Sequence, residues 1–357
     1  MNGLYIHIPF CEKKCAYCDF ASFSGRLSAV KVYIDAVIKE AQKYEGVSVS
    51  TVFIGGGTPS CIPDGEIYRL VRGIKNNIDF SGVTEFSAEA NPNSLTYDKA
   101  CEYRETGINR ISIGLQSSSP RLLKLLGRLH TPEQFSSAVG YAEKAGITNI
   151  NADIMYSLPY QTKDDIYETL SFLSQHTLTH ISAYSLILEE GTPLYDSHPV
   201  LPDEDIDREM FYIIKNELSK PGFHRYEISN FALDGYECAH NLIYWRVNDY
   251  IGLGSAAHSC FKGMRYYNPP DIDEYISGKT HLGEQPQDIT AEKIMLGLRL
   301  KEGIDACLLP SSDEMSRLLK RMEAHGLCRL SERLVLTDAG MDIQNEILAE
   351  IFKLFPS

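Results

Sequence analysis

An α/β fold, a partial (β/α)6 barrel of the TIM type followed by a smaller C-terminal α+β module, is predicted by three observations. Short apolar, β-rich runs alternate with amphipathic helical stretches through the first two thirds of the chain, the pattern of βαβ units on a parallel sheet. No G-x-G-x-x-G turn follows the first run, so these units do not read as a dinucleotide-binding fold. After about residue 225 the composition changes, and from Ile289 onward the order is helix, helix, short hairpin, helix.

The β-rich runs are Leu4–Ile8, Thr51–Ile54, Glu85–Ala90, Arg110–Leu115, Asn149–Met155 and His180–Leu186. Between them lie amphipathic stretches such as Val30–Tyr44, Glu66–Asn77, Pro132–Ala145 and Asp164–His176. In barrels of this kind the chemistry sits at the C-terminal ends of the strands. A cysteine loop follows the first run, Gly55–Thr58 the second, Glu89 closes the third, Gln116 the fourth, and Asp153 lies late in the fifth. One such residue could be a cap or a turn; five in register point to a site. Residues 1–225 are therefore read as the barrel core, 226–285 as a connecting segment and 286–357 as a winged-helix-like module whose hairpin is Cys328–Leu330 and Leu334–Leu336.

Charge and composition exclude several classes. The 357 residues carry a net charge of −14, and no Lys/Arg run forms a basic patch, so nucleic acid and anionic membranes are not expected partners. The winged-helix-like segment holds nine Lys/Arg against twelve Asp/Glu, which argues for packing or partner contact rather than DNA binding. No apolar run is long enough to span a bilayer, and the N-terminus leads directly into a strand without a basic region. A cytoplasmic protein is expected, with its nine cysteines as thiols or metal ligands rather than disulfides.

The cysteine loop carries the strongest signal. Cys11, Cys15 and Cys18 stand at spacings of four and three in Tyr5-Ile-His-Ile-Pro-Phe-Cys11-Glu-Lys-Lys-Cys15-Ala-Tyr-Cys18. Four thiolates would close a [4Fe–4S] cluster; three leave one iron open to a small chelating ligand such as the amino and carboxylate groups of a methionine. A structural zinc site would usually supply a fourth Cys or His. The Gly55-Gly56-Gly57-Thr58-Pro59 turn allows close backbone approach, although a plain tight turn reads the same way.

The C-x-x-x-C-x-x-C spacing with an aromatic before the last cysteine resembles the radical S-adenosylmethionine superfamily. Leu4-Tyr-Ile-His-Ile-Pro-Phe-Cys11 followed by Gly55-Gly-Gly-Thr-Pro-Ser60 resembles one group within it, that of oxygen-independent coproporphyrinogen III oxidases and heme chaperones of the HemW type. The resemblance extends over nearly the whole chain. It implies the radical S-adenosylmethionine form of the partial barrel, with a [4Fe–4S] cluster on Cys11, Cys15 and Cys18. It further implies that Tyr5, Gly56, Gly57, Thr58, Glu89, Gln116, Arg128 and Asp153 bind S-adenosylmethionine; by spacing alone, Ile187 and Ala257 would line the adenine. The chemistry suits these roles: Glu89 and Asp153 accept from ammonium or ribose hydroxyls, and Arg128 pairs with carboxylate. A solvated ion pair at Arg128 and a strand-end cap at Glu89 are the bland alternatives.

Three features separate chaperone from oxidase. The oxidase pattern has a fourth cysteine two residues after the third, where this chain has Phe20; the oxidase carries an N-terminal extension; and the HemW group carries H-N-x-x-Y-W, here His240-Asn241-Leu-Ile-Tyr244-Trp245. All three favour a heme chaperone delivering heme to acceptor hemoproteins. A second copy of the chain is a candidate partner, and cofactor cleavage stays open. The imidazole of His240 could ligate heme iron and the aromatic rings could stack on the macrocycle, although core packing accounts for the same residues. His7, Cys238 and His258 are other candidate ligands. His7, which matches a histidine near the oxidase's substrate, is also a candidate acid/base catalyst.

Overall fold

The computed structural model describes residues 2–355. Six βα steps come first: β1 (Gly3–Ile8), α1 (Val30–Ala41), β2 (Thr51–Gly56), α2 (Glu66–Lys75), β3 (Glu85–Ala90), α3 (Tyr97–Thr106), β4 (Arg110–Gln116), α4 (Pro132–Lys144), β5 (Asn149–Tyr156), α5 (Lys163–Leu173) and β6 (His180–Ser185). Each strand pairs in parallel with the next. Thr131 and Thr162 start α4 and α5 with capping boxes, and Thr96 caps α3, so three turns that return the chain to the sheet are set by side-chain oxygens.

Strand alternation sorts the chain into two faces. Leu4, Ile6 and Ile8, Val52 and Ile54, Ile111, Ile113 and Leu115, and Ile150, Ala152 and Ile154 are essentially fully buried and belong to one core beneath the helices. Most intervening positions are polar, with Phe53 and Gly114 as exceptions. Glu89, Arg110, Ser112, Asn151, Asp153 and Ser182 line a cavity inside the barrel. Barrels of this class usually fill the lumen with branched apolar residues; here it holds charges and hydroxyls.

The chain then continues through α6 (Glu204–Ser219), β7 (His224–Arg225), β8 (Asn230–Ala232), α7 (Ala239–Trp245), β9 (Tyr250–Leu253), β10 (His258–Phe261), β11 (Met264–Tyr267) and β12 (Leu282–Pro286). The sheet order is β12-β11-β10-β9-β1-β2-β3-β4-β5-β6-β8-β7. Residues 226–285 thus feed strands to both flanks of the barrel sheet, with β9 parallel to β1 and the outer strands antiparallel. The two ends of the sheet do not pair with each other, and the barrel stays open.

The last part folds on its own core. Helix α8 (Ile289–Gly297), β13 (Ile304–Asp305), α9 (Asp313–Ala324), the hairpin β14 (Cys328–Leu330) and β15 (Arg333–Leu336), and α10 (Gln344–Phe352) surround Ile294, Leu298, Met315, Leu334 and Ile351. Ion pairs fasten it to the barrel side: Arg225–Asp342 at 2.8 Å, Arg299–Glu227 at 3.0 Å and Arg265–Glu292 at 2.5 Å.

Candidate functional site

The cysteine loop leaves β1 at the C-terminal mouth of the barrel and is held by its neighbours. Gly57 and Thr58 donate their backbone N–H groups to the carbonyls of Ile8 and Phe10 at 2.8 and 2.7 Å, and Ala16 donates to Leu126. Gly56 donates to a Glu89 carboxylate oxygen at 3.0 Å. All three amides of the Gly-Gly-Thr turn are therefore occupied by the protein. The glycines serve the same packing. Gly56 has φ +110, and a β-carbon there would lie 2.5 Å from the His7 ring; at Gly57 it would lie 2.6 Å from the Phe10 carbonyl.

Cys11, Cys15 and Cys18 are free thiols on one wall of a cavity of about 440 Å³. The same cavity is lined by Gly56, Gly57, Thr58, Glu89, Gln116, Arg128, Asp153 and Ile187. Its size is that of a small-molecule site, and three thiols beside carboxylates, a guanidinium and a carboxamide fit an iron–sulfur cluster with an amino-acid chelate. Burial pushes the Cys11 and Cys18 thiols up. Arg128 donates to Cys15 Sγ at 3.4 Å, to Asn91 Oδ1 at 2.8 Å and to the Gly114 carbonyl at 2.8 Å. It is half-buried and anchored, not a solvated surface pair. Since the Gly-Gly-Thr amides are taken, the cations lining the cavity, Arg128 with Lys13 and Lys14, are the donors suited to a ligand carboxylate here.

Gln116 has φ +66 at a register irregularity between β4 and β5. A non-glycine residue in that region costs backbone strain, and such positions cluster at ligand sites. Glu89 is half-buried on the cavity wall; desolvation first, then the nearby Asp153, raises its carboxyl to about 7. Asp153 is also raised by burial, while accepting from Ser112 Oγ and Asn151 Nδ2 at 2.8 Å each.

Two expected cofactor residues lie apart from this cavity. Tyr5 lines the lumen cavity of about 190 Å³ and a third cavity of about 840 Å³, and its hydroxyl meets His7 Nδ1 at 3.0 Å. Ala257 is buried, its carbonyl accepting from Asn268 N; its neighbour Ala256 lines the third cavity.

The His-Asn-x-x-Tyr-Trp segment forms α7, which closes the floor of the lumen at the N-terminal strand ends. Glu85 on β3 accepts from the Ala239 and His240 amides at 2.7 and 3.1 Å, offsetting the unpaired donors of the helix start. His240 is fully buried, stacked on Phe53, with Nδ1 on Thr51 Oγ1 at 2.8 Å and Nε2 on Tyr244 Oη at 2.7 Å. Burial, then Arg110, lowers its imidazole to about 3. Both ring nitrogens are committed within the fold. Asn241 and Tyr244 line the lumen cavity beside Glu89 and Asp153. Trp245 is half-buried under the guanidinium of Arg299, 4.3 Å from its ring centre.

The third cavity lies beside β1, β9 and α8. Phe20, Tyr5, Tyr244, Trp245 and Tyr250 give it aromatic walls, with His7, His258, Arg265, Met295 and Leu296. Asp19, Phe20, Gly56 and Glu89 line both this cavity and the cysteine cavity. The lumen residues Arg110, Ser112, Asn151 and Ser182, with Asn91 and Arg265, are site residues that motif reading did not single out. Their signal was present as polar residues at every second position of otherwise apolar strands.

Comparison with known proteins gives a consistent family. Residues 5–173 match the model of the radical SAM superfamily, and residues 285–343 that of the HemN C-terminal domain. A heme chaperone HemW from Lactococcus lactis is 32% identical over 97% of this chain and 96% of the relative. A heme chaperone HemW from Bacillus subtilis is 33% identical over 97% and 98%. Among solved structures, the coproporphyrinogen III oxidase HemN of Escherichia coli superposes with a TM-score of 0.86 at 22% identity, over 99% of this chain and 90% of that one, a likeness of fold.

Proposed function

Because the chain belongs to the heme chaperone HemW family of the radical SAM superfamily, we propose that it binds heme in the aromatic cavity and passes it to acceptor hemoproteins. Cys11, Cys15 and Cys18 would hold a [4Fe–4S] cluster, and the adjoining cavity S-adenosylmethionine. When bound and reduced, that pair supplies one electron for breaking a sulfonium C–S bond. The chain's own residues do the positioning. Arg128, fixed by Asn91 and the Gly114 carbonyl, would orient a carboxylate. Glu89 and Asp153 would accept from ammonium or ribose hydroxyls, and Gln116 would do either.

One observation carries the reading: an aromatic-walled cavity of about 840 Å³ shares Asp19, Phe20, Gly56 and Glu89 with the cysteine cavity. A flat apolar macrocycle suits such walls, and the shared residues give cofactor occupancy a direct means of altering the neighbouring site. Phe20 stands there in place of the oxidase's fourth cysteine and presents an apolar ring. The test is titration of hemin into anaerobically reconstituted protein, with and without S-adenosylmethionine, then transfer to an apo-hemoprotein. Specific binding and transfer are expected; absence of specific binding overturns the proposal.

A second reading, oxidative decarboxylation of coproporphyrinogen III, is favoured by His7. It lines the same cavity, its ring fixed by Tyr5 Oη and by the Ala21 carbonyl at 2.8 Å. Burial lowers its imidazole, leaving it neutral near pH 7. An anaerobic assay with reductant and substrate that yields no protoporphyrinogen removes this reading.

A further inference from the structure

Resting on the heme-binding reading above, we propose that His258 supplies the axial ligand to the heme iron and that His240 does not. Four residues were candidates on sequence, and their surroundings separate them. His240 has both ring nitrogens engaged, by Thr51 and Tyr244, and is fully buried. His7 has both engaged, by Tyr5 and the Ala21 carbonyl. Cys238 is fully buried on the lumen floor, its thiol on Glu85 Oε1 at 3.4 Å.

His258, at the start of β10, is exposed and lines the aromatic cavity. Among the described residues, neither of its ring nitrogens has a hydrogen-bond partner. Its ring stacks on Tyr267, with centroids 5.4 Å apart and planes 26° from parallel. That stacking limits rotation of the imidazole plane while leaving a nitrogen lone pair open to the cavity. Trp245, Tyr250, Met295 and Leu296 share the cavity and offer apolar surface to a porphyrin face.

The experiment is hemin titration of full-length, reconstituted wild type, His258→Ala and His240→Gln, read by absorption and low-temperature electron paramagnetic resonance. Wild type should show a histidine-ligated ferric spectrum. His258→Ala should lose it and bind about tenfold or more weakly, as expected for removing a proximal ligand, and free imidazole should restore the spectrum. His240→Gln should keep the wild-type ligation signature wherever it folds. An unchanged spectrum and affinity in His258→Ala overturns the assignment while leaving heme binding intact. No specific heme binding by wild type instead overturns the functional reading itself. His258→Ala carries an exposed substitution, so its folding is checked by an unchanged thermal midpoint.

Discussion

The two ends of the barrel lumen are built in opposite ways. At the mouth, side chains sit on strand-end loops, Gln116 and Ser157 have a positive φ, and the three thiols have cavity space before them. At the floor, a helix is clamped by Glu85, and nearly every polar atom of its histidine finds a protein partner. Unspent hydrogen-bonding capacity marks a place for a ligand; spent capacity marks architecture. The distinction divides a motif that reads as one unit in sequence. His240 belongs to the floor, while Trp245, five residues on, belongs to the wall of the aromatic cavity.

The largest expected effect tests the mouth. Cys15→Ala should abolish iron loading and the associated visible absorption while leaving the apo-protein's stability within about 1 kcal/mol, since this half-buried thiol supports no core. A comparable loss of apo stability would break the contrast. Next comes the floor. Glu85→Ala strands the Ala239 and His240 amides and removes the carboxylate beside Arg110, and should cost about 3–5 kcal/mol in urea unfolding. A cost below about 1 kcal/mol would mean that α7 is not anchored there.

Glu89 tests the boundary. Its carboxyl is raised from the ordinary 4.5 to about 7. Between those values the folded state holds more protons than the unfolded state, so stability falls as pH rises from 4.5 to 7 and levels above it. The drop should be about 3 kcal/mol, and Glu89→Gln should remove it. S-adenosylmethionine affinity in wild type should rise across the same window if Glu89 accepts from its ammonium; calorimetry at pH 6 and 8 checks the sign. Smallest of all, Arg246→Ala breaks a half-exposed pair with Glu302, 2.9 Å apart, and should change stability by about 0–1 kcal/mol.

Much of this was legible in sequence. Glu85–Ala90 matches β3 at both ends, and the other five barrel strands differ by one or two residues at an end. Period-two alternation and threonine caps are local signals. Short-range spacing likewise gathered the cysteines, and strand-end position gathered Glu89, Gln116 and Asp153 into one cavity. What could not be read was pairing across long separations. Nothing local to His240 shows that Thr51, 189 residues away, occupies one of its nitrogens. Nothing in the residues around Tyr250–Leu253 shows that this segment pairs with the first strand. Ala257, chosen by spacing alone, lies buried beside rather than on a cavity surface.

Trp245 carries a consequence of its position. It is the sole tryptophan in the chain, and it lies on the wall of the cavity assigned to heme. All indole emission therefore originates from one point. A porphyrin lodged in that cavity would accept its excitation at contact range, and the loss of fluorescence would count occupancy directly. The protein thus contains its own optical gauge of loading and release, with no label to attach.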